Sequence, residues 1–99
     1  MTNFNTKETY LAARAEWKAN YARLSNEARA ARKEFTEAAS LFGKTSYRDH
    51  TAYWANYHAM EALRGKRDDI RRETNAALAQ LISMREEAAA QWEAARALA

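Results

Sequence analysis

The chain has 99 residues and a formal net charge of +3, with 47% hydrophobic and 29% charged residues. It contains two glycines, no proline and no cysteine, which excludes collagen-like and low-complexity classes, disulfides and thiolate metal sites. The absence of proline and of valine favours long helices over strands. A chain of this length forms one domain, so we predict a single helical domain over residues 1–99.

Neither a targeting segment nor a membrane span is visible. The first residues lack the basic start and apolar middle of a signal peptide. The longest run free of Asp, Glu, Lys and Arg lies between Asp49 and Glu61 and is too short and too polar to cross a bilayer. With no cysteine, this indicates a soluble cytoplasmic protein that does not bind membranes.

A heptad stripe organises the first half of the chain. Its members alternate spacings of four and three, and we call them the α1 seam: Trp17, Tyr21, Leu24, Ala28, Ala31, Phe35, Ala38 and Phe42. A stripe that repeats every 3.5 residues over more than three heptads is typical of a long helix packed against another helix. The rest of the chain must supply that partner.

Polar residues and glycine predict where this helix begins and ends. Asn5 followed by Glu8 matches a capping box, and Gly43 stands where a left-handed C-terminal cap favours glycine. We therefore predict a first helix over about residues 5–42. Ser46 is then the expected cap of the next helix, and a link this short makes the two helices antiparallel.

Gly65 leaves the second helix ambiguous. Apolar positions stay in phase across it, seven or fourteen residues apart, at Leu63, Ile70, Ala77, Met84 and Leu98. We predict an all-α fold, a long antiparallel helical hairpin or coiled coil whose second helix, about residues 46–98, is kinked or broken at Gly65. The alternative is a monomeric three-helix bundle with a turn at Gly65.

The last segment has a wider apolar face than one neighbouring helix can cover. Beside its main apolar row, Leu78, Ile82 and Trp92 form a second row with Ala89. Such width is typical of helices in a three- or four-helix core. We favour a homodimer that buries Leu78, Ile82 and Trp92, whereas a three-helix monomer would also cover them.

No catalytic or metal-binding constellation is evident. His58 and Glu61 have a spacing that can ligate metal in helical bundles, but such sites need repeated Glu and Glu-x-x-His elements that this chain lacks. Ser46 is sufficiently explained as a helix cap. We expect a protein that is not an enzyme and binds no cofactor or metal.

A basic cluster leads up to the middle of the second helix, with five cations within nine residues: Arg64, Lys66, Arg67, Arg71 and Arg72. Such a cluster suits phosphates or an acidic protein surface. The competing interpretation is a solvated helix face. Asp68 lies three and four residues before Arg71 and Arg72, and Asp69 lies three before Arg72, so intrahelical ion pairs can absorb much of the charge.

An aromatic stripe precedes the basic cluster. Tyr47, Trp54 and His58 share one helix face in a segment with few charges. Tyr, Trp and Arg dominate binding hot spots, because a large ring buries much area while its polar tip still forms hydrogen bonds. The alternative is that these rings are buried in a bundle or dimer core. If exposed, they form with the basic cluster a surface for acidic protein or for single-stranded bases.

The run from Leu11 to Leu24, LAARAEWKANYARL, resembles the openings of small all-helical accessory proteins of bacteriophages and prophages. That resemblance implies a binder without catalysis. Small helical anti-CRISPR inhibitors and regulators that bind nucleic acid are examples of such proteins.

Three functions follow, in order of preference. The first is a non-enzymatic protein-binding module, an anti-CRISPR-like inhibitor of a host nucleic-acid-handling or immune complex, whose partner has an acidic surface. The second is a basic dimer that binds nucleic acid, and the third is a structural coiled-coil oligomeriser.

Overall fold

The structure, a computed structural model, describes residues 6–98. It contains two α-helices, α1 (Lys7–Lys44) and α2 (His50–Leu98), of 38 and 49 residues. Because these described residues include no strand, the predicted all-α class is confirmed. Over the same range, neither helix combines the length and the apolar character that are needed to cross a membrane.

Helix α1 begins with a threonine cap. The Thr6 side-chain Oγ1 accepts a hydrogen bond from the Thr9 backbone N–H at 3.2 Å, which satisfies one of the free amides of the first turn. Glu8 lies in that turn, where a carboxylate complements the positive end of the helix dipole. The predicted cap, Asn5, lies outside the described residues.

The C-terminal end of α1 differs from the prediction. Gly43 is inside the helix, and no glycine among residues 6–98 has a positive φ, so the left-handed cap expected at Gly43 is wrong. Thr45 ends the helix instead. Its N–H donates to the Phe42 carbonyl at 3.1 Å and its hydroxyl donates to the Leu41 carbonyl at 2.8 Å. These bonds satisfy the last carbonyls without a left-handed residue.

The start of α2 is also shifted. Asp49 is the cap, since its Oδ1 accepts from the Ala52 N–H at 3.3 Å, so the cap predicted at Ser46 is wrong. Ser46 instead shapes the turn. Its Oγ accepts from the Arg48 N–H at 3.2 Å and its carbonyl accepts from the Asp49 N–H at 3.1 Å. This additional turn delays the helix until an aspartate, an equally good cap, is reached.

Helix α2 is continuous through Gly65. Of the two predicted forms, kinked or broken at Gly65, the broken one is wrong, and so is the three-helix alternative, which needs a turn there. Glycine inside a helix costs about 1 kcal/mol relative to alanine, but Met60 and Ile70 are buried on either side of it, at 8% and 9% exposure. Burial of either apolar side chain contributes about 1.5–3 kcal/mol, which outweighs that cost.

Contacts divide the chain into two compact units, and both helices contribute to each. The turn unit comprises Leu24–Glu73 and includes the connection between the helices. The terminal unit is described over residues 6–23 and 74–98.

The core of the turn unit is formed where the α1 seam meets α2. Leu24 and Ala31 are 2% and 1% exposed, and the rest of the seam in this unit is half-buried. Met60 and Ile70 bury the facing side of α2. The seam is therefore confirmed as the inner face of α1, and its alanines let the helix backbones approach closely.

The core of the terminal unit centres on Met84 and Ala88, against which four half-buried side chains pack: Tyr10, Ala13, Trp17 and Trp92. Tyr10 meets Trp92 edge to face at 5.6 Å between ring centroids. The Trp17 indole N–H donates to the Ala77 carbonyl at 2.6 Å. These contacts pair early residues with late ones, so the two helix segments in this unit are antiparallel.

Truncation of Leu24 should destabilise the protein strongly. Leu24→Ala removes a side chain that is 2% exposed, and we expect a loss of about 2–4 kcal/mol in the free energy of unfolding by urea. Leu41→Ala is the matched control, because Leu41 is 55% exposed and its loss should cost less than about 0.5 kcal/mol. Equal losses in the two variants would contradict the assigned core.

Alanine at Gly65 should stabilise the protein. A Cβ atom there would meet nothing within 4 Å, so Gly65→Ala gains helix propensity without a clash. We expect the free energy of unfolding to rise by about 0.5–1 kcal/mol and the Tm to rise with it. Ala62→Gly, an exposed site on the same helix, should have the opposite sign. A destabilised Gly65→Ala variant would exclude an ordinary helical backbone at this residue.

Candidate interaction surface

A network of short hydrogen bonds fixes the turn between the helices. The Thr45 hydroxyl accepts from the Asn56 side-chain amide at 2.8 Å while it donates to the Leu41 carbonyl. Asn56 therefore ties the first turns of α2 to the end of α1. Together with the Asp49 cap, this bond holds the backbone on either side of Tyr47.

Aromatic rings form a continuous set beside this turn. On its inner side, Phe42 contacts Tyr53 at 4.9 Å and Tyr57 at 5.6 Å between ring centroids. All three rings are half-buried. They provide the base on which the outer rings pack.

The outer rings lie edge-on against that base. Tyr47 meets Tyr53 at 5.0 Å, and Trp54 meets Tyr53 and Tyr57 at 5.3 and 5.7 Å, all near perpendicular. His58 extends the set, 6.3 Å from Trp54. Edge-to-face contacts of this kind restrict the rings to defined orientations.

The outer rings are open to solvent. Tyr47 is 59% exposed and Trp54 is 47% exposed, and His58 is exposed as well. Burial of these residues within the fold of a single chain is therefore wrong, and their burial in a dimer core stays a prediction. We call Tyr47, Trp54 and His58 the aromatic surface.

Most of the basic cluster is paired with carboxylates. Arg64 bonds Glu61 at 2.9 Å, and Arg72 pairs with Asp69 three residues earlier, as its spacing predicts. Lys66 reaches Glu34 on α1 at 3.3 Å.

Arg67 and Arg71 differ in their surroundings. Arg67 pairs with the adjacent Asp68 at 3.2 Å, and the observed partner of Arg72 is Asp69. Arg71 is exposed and forms no ion pair with any residue between 6 and 98. It is the member of the cluster most available to a partner.

Arg67 also has a structural contact that the sequence did not reveal. Its guanidinium lies 4.3 Å from the centroid of the Phe35 ring, and that of Arg64 lies 5.6 Å away. Arg67 is half-buried as a result. Its cation–π contact ties α2 to the α1 seam, so it contributes to the fold more than to an open basic surface.

The residues expected at an oligomer interface fall into two groups. Leu78 and Ile82 are 40% and 55% exposed on α2 in the terminal unit. Trp92 is half-buried against Tyr10 and belongs to the core of that unit. The uncovered part of the predicted apolar row is thus Leu78 and Ile82 with the small Ala89, which is exposed.

Metal ligands are not grouped in the part of the chain that the structure describes. No set of three or more His, Asp or Glu side chains is placed to hold an ion there.

Replacement of Arg67 should reveal its structural role. Arg67→Gln loses the contact with Phe35, and we expect about 0.5–1 kcal/mol less stability in urea unfolding followed by circular dichroism. Arg71→Gln makes the same charge change at an exposed site without an ion pair and should stay within about 0.5 kcal/mol of the parent. If Arg71→Gln were the more damaging variant, this division of roles would be wrong.

Comparison with known proteins found no matching family model, no similar curated protein and no similar solved structure. The functional proposal therefore depends on the contacts described above.

Proposed function

We propose that this chain is a non-enzymatic protein-binding module that docks through its aromatic surface onto an acidic region of another protein. The observation that carries the proposal is Trp54, which is 47% exposed although three neighbouring rings hold it in place. A large exposed indole is costly to leave in water and gains free energy when a partner covers it.

The exposed rings are also preorganised for binding. A side chain that is immobilised on binding loses about 0.5–1.5 kcal/mol of rotamer entropy. Tyr47 and Trp54 are already restricted by edge contacts in the free protein, so they lose less rotamer entropy on binding. Such rigid aromatic anchors are typical of binding hot spots.

Arginines further along α2 favour an acidic partner. Arg71 has no ion pair within residues 6–98, and the pairs of Arg64 and Arg72 are exposed. Exposed ion pairs contribute only about 0–1 kcal/mol, so these arginines can exchange their carboxylates for those of a partner at little cost. A carboxylate-rich epitope would gain from all three.

Nucleic acid fits this surface less well. Nucleic acid requires a row of cations, one for each phosphate that is neutralised, whereas four of the five clustered cations are already paired with carboxylates. Docking onto a protein depends mainly on the aromatic rings and requires fewer cations. The resemblance to phage accessory proteins suggests the nature of the target instead. A host nucleic-acid-handling or immune complex, met in the cytoplasm, is the partner we propose.

Loss of the Trp54 ring should abolish partner capture. The immobilised protein is incubated with bacterial lysate, and retained proteins are quantified by mass spectrometry for the parent, Trp54→Ala and Leu98→Ala. For Trp54→Ala we expect the amount of specifically retained protein to fall at least about tenfold, which corresponds to a loss of about 1.4 kcal/mol of binding free energy. Leu98→Ala removes an even more exposed apolar side chain, which is 91% exposed, and this variant should retain as much partner protein as the parent.

Two results would contradict this proposal. One is retention of the same proteins by Trp54→Ala. The other is tight binding of a labelled single strand or duplex whose affinity falls steeply with salt, because that dependence is the signature of phosphate contacts.

A further inference from the structure

The terminal unit has two flanks of different character. Its core rows are Tyr10, Ala13 and Trp17 on α1 and Ala77, Leu81, Met84 and Ala88 on α2. The residue after each core residue lies about 100° further round the helix. When two helices pack antiparallel, the residues that come directly after the core residues project to the same side of both helices. The residues that come directly before the core residues project to the other side.

The side formed by the following residues is apolar and basic. On α1 it carries Leu11, Arg14 and Lys18. On α2 it carries Leu78, Ile82, Arg85 and Ala89. All seven are exposed, the three large apolar ones by 45%, 40% and 55%, and none is acidic. We call these seven residues the basic-apolar flank.

The opposite flank has the reverse charge. The residues that precede the core positions include Glu16 and Glu87 and no cation. Glu86 and Glu93 come four residues after Ile82 and Ala89, so they lie at the outer edge of the basic-apolar flank on α2. Arg14, Lys18 and Arg85 therefore lie on one side of the terminal unit, and Glu16 and Glu87 lie on the other.

The cations of the basic-apolar flank, Arg14, Lys18 and Arg85, form no ion pair within the described residues. The antiparallel register that sets Tyr10 beside Trp92 brings Arg14 and Arg85 to about the same level on the two helices. An acidic group placed between them would interact favourably with both.

We propose that the basic-apolar flank binds an amphipathic α-helix of a partner protein, with an apolar stripe and acidic edges. Two antiparallel helices leave a groove along each side, and a third helix in that groove contacts both. Leu11, Leu78 and Ile82 would meet its apolar stripe. Arg14, Lys18 and Arg85 would pair with the Asp or Glu residues beside that stripe.

Charge argues against a second copy of the chain as the occupant. A two-fold dimer brings the same flank of both copies together, so the cations of one copy would lie against a flank that itself carries Arg14, Lys18 and Arg85. Like charges across an interface oppose association. The homodimer predicted from the sequence needs some other surface, or an arrangement that keeps these cations apart.

A lipid surface also fits less well. Interfacial helices insert a broad row of Trp, Phe and Leu side chains into the bilayer. In this unit the indoles of Trp17 and Trp92 pack in the core, which leaves three aliphatic side chains divided between two helices.

The experiment uses the full chain and a fluorescent model helix. The probe is an amphipathic peptide of about 20 residues, three to four apolar residues per two turns, with Glu beside the apolar stripe. The comparison peptide has Lys at the same places. Fluorescence anisotropy should show the acidic peptide binding at least about tenfold more tightly than the basic one.

Two variants with the same change in net charge locate the binding. Arg85→Gln, on the flank, should weaken binding of the acidic peptide about fivefold, because one ion pair of the complex is lost. Gln80→Glu, on the opposite flank, should leave it within about twofold, since salt screens charge beyond about 8–10 Å. Circular dichroism confirms that both remain helical.

Four results would overturn the proposal. They are absence of binding up to about 1 mM acidic peptide, equal binding of the two peptides, equal weakening by the two variants, or retention of the chain by vesicles of anionic lipid in preference to the peptide. Trp54→Ala should leave peptide binding unchanged. The proposal for the basic-apolar flank and the proposal for the aromatic surface are therefore tested independently.

Discussion

The narrowness of a two-helix contact is the constraint on which the other features of this structure depend. A helix with a single neighbour can bury only one stripe of its side chains completely. Among residues 6–98, seven apolar side chains are buried. Three of these are alanines, so the larger rings lie at the edges of the contact, where they are half-covered. The exposed rings and aliphatic side chains are therefore a direct result of an apolar surface wider than one helix can cover.

Periodicity made the architecture predictable, whereas the ends of the helices were not. The α1 seam and the phase across Gly65 required only regular spacing, and both describe the helices that form. The caps depended on competition between neighbouring polar residues. Asp49 is as good a cap as Ser46, so residue type could not choose between them, and Thr45 ends α1 through a side-chain bond that the glycine pattern at Gly43 did not indicate. The pairing of Arg67 with Phe35 joins residues that are close only once the hairpin register is known.

The candidate surfaces could be predicted in part. Residue type and spacing were enough to select Tyr47, Trp54 and His58, but not to decide whether the rings face inward or outward. That choice depends on which face of α2 meets α1, and Phe42 settles it by packing on Tyr53 and Tyr57 and leaving Trp54 outside. Charge was harder to anticipate, because four of the five clustered cations are paired within the chain. The cations that lack partners in the terminal unit are scattered in sequence and become neighbours only through antiparallel packing.

The placement of the three tryptophans gives the protein its own spectroscopic reporters. Trp17 and Trp92 pack in the core of the terminal unit, and the Trp17 indole N–H is bonded to a backbone carbonyl, whereas Trp54 stands in water in the turn unit. Emission from Trp54 should lie further to the red and respond more readily to a dissolved quencher than emission from the other two. Fluorescence of variants that retain a single indole would thus follow each unit separately, without an attached dye.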